Sequence, residues 1–266
     1  MLKKLLLTGA AGGVGRAIRP LLGEIAESVV LSDIGEIADA GANETFIKCD
    51  LADKDGVYRL FEGGVDGVIH LGGISIEKPF DLILQGNIVG LYNLYEAARH
   101  HGMPRIVFAS SNHTIGYYRR DERIDNKVYP RPDSLYGVSK VFGEAVASLY
   151  ADKFGQETLS LRIGSCFEKP QNTRMLATWL SYRDLVSLCQ RAFVTPKLGH
   201  TIVYGASAND EQWWDNSKAA FLGWQPKDSS AEWRVEVETA AGREDPASPA
   251  VIYQGGGFAL AGHPED

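Results

Sequence analysis

Short apolar runs alternate with segments of helical periodicity over the first two thirds of the chain. In a stretch such as residues 80–101, apolar residues recur three or four positions apart, which predicts a helix. Apolar runs with no such spacing are typical of strands buried on both faces, and they occupy residues 4–8, 28–32, 46–51, 66–71, 105–110 and 159–163. Strands that alternate with helices form parallel sheets with helices on both faces. The pattern therefore predicts an α/β fold with a doubly wound parallel sheet.

The rest of the chain, residues 164–266, holds fewer elements. A helical pattern at residues 182–192 and a strand pattern at residues 201–204 would complete the sheet. We predict one domain, in which residues 1–165 form the nucleotide-binding core. Residues 166–266 would form a lid over the ligand, finish the sheet and end in a Gly-rich stretch, residues 254–258, whose docking place the sequence leaves open.

A glycine-rich turn follows the first strand. Gly9, Gly12 and Gly15 recur at three-residue spacing, with Gly13 and Val14 between them. Strand, glycine turn and helix in this order are typical of a dinucleotide-binding fingerprint. Gly9 would permit the tight turn, Gly12 would let the backbone approach a pyrophosphate, and Gly15 would let the helix pack on the strand. An ordinary turn between a strand and a helix is the alternative.

Asp33 closes the second strand, near the position expected of the carboxylate that binds the adenosine ribose. No Lys or Arg occurs in residues 34–45, so a 2′-phosphate would meet a carboxylate without a cation to offset it. The sequence therefore predicts NAD rather than NADP as cofactor. A helix cap or a loop acid is the alternative role for Asp33.

The third and fourth strands end in residues suited to a cofactor. Ligands of open α/β sheets bind at the carboxyl ends of the strands, and glycines there allow close approach of the backbone. Asp50 would lie near the adenine, or would cap a helix that begins near Ala52. The strand-end residues that we place beside the cofactor are Asp50, Leu51, Leu71, Gly72 and Gly73.

Tyr136 and Lys140 lie four positions apart and would share one face of a helix. Lowering a phenol pKa from about 10 to about 7 takes roughly 4 kcal/mol. One ammonium about 6 Å away supplies roughly 3 kcal/mol at an effective dielectric of about 20. The positive charge of an oxidised nicotinamide would complete the shift. The pair therefore fits a general base beside NAD⁺, and an exposed helical pair is the alternative.

These motifs together resemble the extended short-chain dehydrogenases/reductases over roughly residues 1–170. The residues that carry the resemblance include the glycine turn, Asp33, Asn87 and a serine at the end of the fifth strand. In that family the serine five positions before a loop glycine assists the catalytic tyrosine, and Ser111 has this spacing to Gly116. The resemblance implies that Ser111, Tyr136 and Lys140 are catalytic and that Asn87, Tyr136 and Lys140 contact NAD.

Further segments narrow the resemblance to family members that oxidise sugar acids. They are residues 71–79, 110–117, 205–210 and 213–216. This resemblance implies oxidation of D-galacturonate or D-glucuronate at C1 to the aldarolactone, with hydride transfer to nicotinamide C4. The residues that it places around the sugar acid are Ser75, Ser111, Asn112, His113, Ser165 and Arg174.

A carboxylate substrate needs a cation in a protein of net charge −7. Arg174 lies in a polar loop, and arginine binds carboxylates through two parallel hydrogen bonds. Arg162 and Arg183 are competing candidates, the first within a strand pattern and the second at the start of a helix. A surface arginine is the alternative reading of Arg174.

The composition excludes several other classes of function. The net negative charge argues against nucleic acid and anionic membranes as partners. The sequence contains no run of eighteen apolar residues, so we predict no membrane-spanning helix. The three cysteines are odd in number and lack metal-site spacing, so we expect free thiols in a reducing cytoplasm and no metal. The sequence leaves oligomerisation open.

Two other functions suit the same motifs. A sugar epimerase or dehydratase of this family would use the same tyrosine, lysine and NAD but would form no net NADH. An NAD(H)-sensing regulator could use the same fold without catalysis, although such proteins often lose the tyrosine or the lysine.

Overall fold

A parallel sheet of seven strands forms the centre of the molecule, and the computed structural model describes residues 1–266. The strands are β1 (Leu2–Thr8), β2 (Ala26–Asp33), β3 (Glu44–Lys48), β4 (Gly67–His70), β5 (Arg105–Ser111), β6 (Ile124–Asp125), β7 (Thr158–Ile163), β8 (Ser165–Cys166), β9 (Trp179–Leu180), β10 (His200–Gly205) and β11 (Trp214–Asp215). The sheet has the order β10-β7-β5-β4-β1-β2-β3, while β6 pairs with β11 and β8 with β9. The strand order reverses at β1, which confirms the predicted doubly wound arrangement.

Helices cover both faces of this sheet. They are α1 (Gly13–Ile18), α2 (Lys54–Arg59), α3 (Phe80–Ile83), α4 (Gly90–His100), α5 (Leu135–Phe154), α6 (Met175–Thr178), α7 (Tyr182–Val194), α8 (Arg234–Ala240), α9 (Pro249–Ile252) and α10 (Gly257–Leu260). A π-helical segment, Leu84–Val89, joins α3 to α4, and 3₁₀ turns occupy Arg19–Glu24, Asn112–Ile115, Ser217–Leu222 and Ser230–Trp233. None of these helices combines the length and apolar character needed to span a bilayer.

The alternation of side chains along β1 explains why its sequence is continuously apolar. Leu5 and Leu7 belong to a core cluster of 25 buried residues, whereas Leu6 belongs to a separate cluster of 18. Successive side chains of a strand point to opposite faces, so a strand covered on both faces needs an apolar residue at each position. Burial of each such leucine stabilises the fold by about 1.5–3 kcal/mol.

The structure corrects three predicted boundaries. β3 ends at Lys48, and Asp50 lies in the following turn, where its Oδ1 accepts the Ala52 N–H at 2.9 Å. The next helix begins only at Lys54, so the alternative reading of Asp50, as the cap of a helix near Ala52, is wrong. Apolar residues at helical spacing over residues 14–22 predict one helix after the glycine turn. The structure changes to a 3₁₀ turn after Ile18, because Pro20 has no N–H and clashes with the preceding turn. The helix predicted over residues 80–101 is one helical stretch with a π-helical middle.

Candidate active site

The turn between β1 and α1 is shaped as a cradle of backbone. Gly9 has φ of +72°, and a Cβ there would lie 2.6 Å from the carbonyl carbon of Leu71. A Cβ on Gly15 would lie 2.3 Å from the Gly9 carbonyl oxygen, so both positions require glycine. Gly13 faces open space, and no side chain caps the start of α1 at Gly12. The N–H groups at the start of α1, beginning with that of Gly13, are therefore available to a pyrophosphate, as a dinucleotide requires.

Asp33 holds this cradle at the end of β2. Its Oδ2 accepts the Ala11 N–H and its Oδ1 accepts the Gly35 N–H, each at 2.9 Å. A carboxylate has further lone pairs, which ribose hydroxyls could use. Lys48, which follows residues 34–45 in the chain, lies on β3 directly beside Asp33. Its Nζ lies 2.6 Å from Glu36 Oε1, so an acid already offsets its charge.

Asn87 fastens the loop after β4 to the helix that carries Tyr136. Its Oδ1 accepts the Ile74 N–H at 2.7 Å, and its Nδ2 donates to the Ile74 carbonyl and to Ser139 Oγ, both at 2.9 Å. A Cβ on Gly73, which has φ of +114°, would lie 2.7 Å from Asn87 Oδ1. Asn87 is buried in the π-helical segment, so it orders this loop, and its contact with NAD stays a prediction.

Other predicted cofactor and substrate residues lie around the same loop. Leu51 is buried, and its Cδ1 would lie 2.6 Å from a Cβ on Gly72. Asp50 and Ser75 are exposed, and the Ser75 side chain makes no hydrogen bond within the protein. The structure brings these residues to the carboxyl edge of the sheet, and their roles stay predictions.

Glu77 caps the start of α5, a contact that sequence reasoning missed. Its two carboxylate oxygens accept the N–H groups of Leu135 and Tyr136, each at 2.9 Å. Ser134 Oγ accepts the next free N–H, that of Gly137, at 2.9 Å. A carboxylate at a helix N-terminus is favourable, since it satisfies free donors and complements the helix dipole. The loop that carries Ser75 is thereby fixed to α5.

Tyr136 and Lys140 are both buried on one face of α5, with Lys140 Nζ 5.6 Å from the centre of the Tyr136 ring. Burial raises the pKa of Tyr136 to about 12; a hydrogen bond with Ser111 opposes this, and the Asp133 charge adds to it. Burial also lowers the pKa of Lys140 to about 8. In the protein without a cofactor, the pKa of Tyr136 is therefore raised, whereas the spacing of Tyr136 and Lys140 predicted that it would be lowered. The phenol needs a further positive charge to act as a base at neutral pH.

Ser110 and Ser111 differ in their surroundings. Ser110 Oγ donates to Glu144 Oε1 at 2.7 Å and lies in the core. Ser111 Oγ accepts the His113 N–H at 3.2 Å, and the Ser111 side chain opposes the rise in the pKa of the Tyr136 phenol. Ser111 is thus the serine that influences the phenol, and its catalytic role stays a prediction.

Both competing arginines have acidic partners. Arg162 and Glu144 form a buried pair with two parallel bonds, Nε to Oε1 and Nη2 to Oε2, each 2.8 Å long. Arg183 is 76% exposed, and its Nη2 lies 2.6 Å from Asp228 Oδ1. Neither guanidinium is free to serve as the carboxylate partner of a substrate.

We expect Arg162→Met to lower the free energy of unfolding by about 3–5 kcal/mol, because it leaves the Glu144 carboxylate buried without its cation. Arg183→Met should cost less than about 1 kcal/mol, since it removes an exposed pair. Urea denaturation of both variants would measure the difference. Equal losses would contradict a structural role for the Arg162–Glu144 pair.

Arg174, in contrast, is surrounded by neutral acceptors. Its Nε donates to the Gln254 carbonyl at 2.7 Å and its Nη1 to Ser165 Oγ at 3.2 Å. The Asn112 amide can form two hydrogen bonds in one of its two orientations. Its oxygen then accepts from Arg174 Nη2 at 2.6 Å, and its nitrogen donates to the Ile163 carbonyl at 3.0 Å. Burial lowers the pKa of Arg174 to about 10. The guanidinium therefore carries a charge with no acid bound to it and has N–H groups to spare.

His113 and Phe258 lie beside Tyr136, and the sequence did not indicate Phe258 as a site residue. His113 Nδ1 hydrogen-bonds Asp133 Oδ2 at 2.8 Å; burial lowers the pKa of His113, while Asp133 opposes this. The Phe258 ring stacks on His113 with 3.8 Å between centroids and lies 6.1 Å from the Tyr136 ring. The Gly-rich stretch, whose location the sequence left open, thus docks on the site of its own chain.

Comparison with known proteins agrees with this arrangement. Residues 5–182 match the model of the NAD dependent epimerase/dehydratase family. A uronate dehydrogenase from Pseudomonas putida is 58% identical over 97% of this chain and 96% of its own length. The crystal structure of glucuronic acid dehydrogenase from Chromohalobacter salexigens superposes with a TM-score of 0.98 at 64% identity, over all of both chains.

A third relative is described with the cofactor. The crystal structure of a uronate dehydrogenase mutant from Agrobacterium tumefaciens, complexed with NAD, superposes with a TM-score of 0.95 at 55% identity over 97% of each chain. The resemblance inferred from the motifs is therefore confirmed: the chain belongs to the NAD dependent epimerase/dehydratase family, and its close relatives within that family are uronate dehydrogenases.

Proposed function

We propose that this chain is an NAD-dependent oxidoreductase that converts a free hexuronate, D-galacturonate or D-glucuronate, to the aldarolactone. Arg174 carries the proposal, because it is a guanidinium without an acidic partner in the cluster that holds Ser111 and Tyr136. A substrate carboxylate would supply the missing charge through bidentate hydrogen bonds. The names of the similar proteins support the same substrate class.

The residues at the sheet edge would hold the cofactor. The start of α1, which follows the glycine turn, would offer its free N–H groups to the pyrophosphate, and Asp33 would offer its carboxylate to the adenosine ribose. When bound, NAD⁺ supplies the hydride acceptor and a positive charge beside the phenol. Asn87 and Glu77 keep the loop of Ser75 and the start of α5 in fixed relation around it.

The proton chemistry falls to Tyr136. Ser111 would hold the C1 hydroxyl of the pyranose against the phenol, and Tyr136, as phenolate, would take its proton. The ammonium of Lys140 would stabilise that phenolate, since its charge lies within 5.6 Å of the ring. Loss of the C1 hydrogen as hydride leaves a carbonyl still bonded to the ring oxygen. The product is therefore a lactone.

The direct test is NADH absorbance with purified protein, NAD⁺ and either uronate. We expect NADH to accumulate with one or both. An epimerase or dehydratase of this family would keep its cofactor bound and form no net NADH, and a sensor would turn over neither uronate. A flat absorbance trace with both substrates would overturn the proposal.

We expect NAD⁺ to be preferred over NADP⁺ by at least roughly a hundredfold in kcat/KM, on the order of 3 kcal/mol. The 2′-phosphate would meet Asp33, and the nearby Lys48 is already paired with Glu36. Asp33→Asn keeps an oxygen that can accept the Ala11 N–H but removes the negative charge. It should therefore reduce the preference for NAD⁺ over NADP⁺. Asp39→Asn, at an exposed acid bound to Arg19, is the matched control. Equal kcat/KM for the two cofactors in the unaltered protein would remove the role of Asp33.

A further inference from the structure

Gln254 anchors a segment far along the chain to the loop after β5. The side chain is fully buried, and its Nε2 donates to the carbonyls of Arg119 and Glu122 at 2.9 and 3.0 Å. Its Oε1 accepts the Trp214 Nε1–H at 2.8 Å. Three hydrogen bonds on one buried amide hold the backbone of residue 254 in a defined place.

The two residues that follow are pressed against site residues. The Gly255 N–H donates to the Gly116 carbonyl at 2.8 Å, and a Cβ on Gly255 would lie 1.8 Å from Asp133 Oδ2. Gly256 has φ of +64°, and a Cβ there would lie 2.6 Å from Arg174 Cδ and 2.9 Å from its Nε. Glycine is therefore required at both positions by contact, and at Gly256 by backbone conformation as well.

Residues 254–256 thus determine how the Arg174 guanidinium is turned. The Gln254 carbonyl takes the Nε–H at 2.7 Å, and Gly256 packs on the aliphatic stem. With Nε held in this way, the Nη groups lie towards Ser165 and Asn112, both of which were predicted to contact the substrate. A guanidinium binds a carboxylate through two bonds only when its plane has the right orientation.

We propose that residues 254–256 orient Arg174 for the substrate carboxylate and thereby set the preference of the enzyme for a sugar acid over the neutral sugar. Gln254 and Gly256 are positioning residues, since they act through Arg174. The inference rests on the proposed function. The inference goes beyond the proposed function because it assigns the selectivity for a sugar acid to residues 254–256. The first of these residues lies 80 positions after Arg174.

Gly256→Ala tests the proposal, with Gly257→Ala as the matched control one position away. The added methyl would strike the Arg174 stem at residue 256, whereas a Cβ at Gly257 meets nothing within 4 Å. We expect Gly256→Ala to lower kcat/KM for galacturonate about tenfold, mainly through a higher KM, because a charged hydrogen bond is misaligned. The kcat/KM of Gly256→Ala for galactose should stay within about twofold of that of the unaltered protein. Gly257→Ala should change kcat/KM for neither sugar.

A second measurement separates positioning from general loosening of the segment. In the Arg174→Ala background, Gly256→Ala should have little further effect, because the residue through which it acts is gone. If galactose turnover is too slow to measure, the KM for galacturonate serves as the readout, raised by Gly256→Ala and unchanged by Gly257→Ala.

Three results would overturn the inference. They are equal behaviour of Gly256→Ala and Gly257→Ala, equal losses with galacturonate and galactose, and additive losses for Gly256→Ala and Arg174→Ala. Failure of the proposed function is distinguishable, because the unaltered protein would then form no NADH from either uronate.

Discussion

Replacing Tyr136 by phenylalanine should abolish turnover, with kcat/KM reduced by about 10⁴-fold or to below detection, while NAD⁺ still binds. The substitution removes only the phenolic oxygen, which is the proposed base and the partner of Ser111. NADH formation measures the loss, and titration of NAD⁺ by calorimetry shows that the cofactor site is intact. Substantial activity in the phenylalanine variant would disprove the mechanism.

Tyr95→Phe is a suitable control for this experiment. Tyr95 is also a buried tyrosine, but its hydroxyl hydrogen-bonds Thr158 at 3.2 Å in the core between α4 and the sheet. Its loss should leave kcat/KM nearly unchanged. A comparable loss in both variants would point to instability rather than to chemistry.

The pH dependence of the unaltered enzyme has a defined sign under the same mechanism. The phenolate is the reactive form, so kcat/KM at saturating NAD⁺ should rise with pH as the phenol loses its proton. In the protein without a cofactor, the pKa of Tyr136 is about 12, raised mainly by burial. The positive charges of Lys140 and NAD⁺ must lower it well below its ordinary value of about 10. If kcat/KM did not change with pH up to about pH 10, Tyr136 would not be the general base.

Arg174→Ala should lower kcat/KM for galacturonate by about 10- to 150-fold or more, because a charge-assisted pair contributes roughly 1.5–3 kcal/mol. The kcat/KM for galactose, which lacks the carboxylate, should fall only slightly in the same variant. Arg174→Lys should recover only part of the activity, since a point charge lacks the planar fork. Steady-state kinetics on the two sugars measures each effect.

Arg183→Ala is the control for that series, because Arg183 is exposed and bound to Asp228. It should leave the kinetics of both sugars unchanged. Intact uronate kinetics in Arg174→Ala would mean that another group holds the carboxylate, with His113 and Asn112 as the next candidates.

The parts of the fold and site that depend on local sequence could be predicted. The continuous apolar runs identified β1 and its neighbours, and the glycine turn identified the cradle, because both patterns lie within a few adjacent residues. The Tyr136–Lys140 pair could be found for the same reason, since helical spacing alone places both on one face.

The remaining features depend on contacts between distant segments. Glu77 reaches the start of α5 from 58 positions away, and no local pattern signals that contact. The neutral surroundings of Arg174 depend on Gln254, 80 positions on, so only the structure could separate it from Arg162 and Arg183. Burial of Tyr136 is likewise a property of the packed site, and it reversed the pKa shift expected from helical spacing.

The anchorage of Gln254 has a consequence for the order in which the molecule is assembled. Its side chain closes a loop of 135 positions to Arg119, and the three glycines after it bring no side chains to stabilise that closure. Elements held by few buried apolar contacts form late and open at lower free energy than the sheet. During folding, or under mild denaturation, the chain should therefore pass through a state that can hold a nucleotide but cannot yet tell an acid from a neutral sugar.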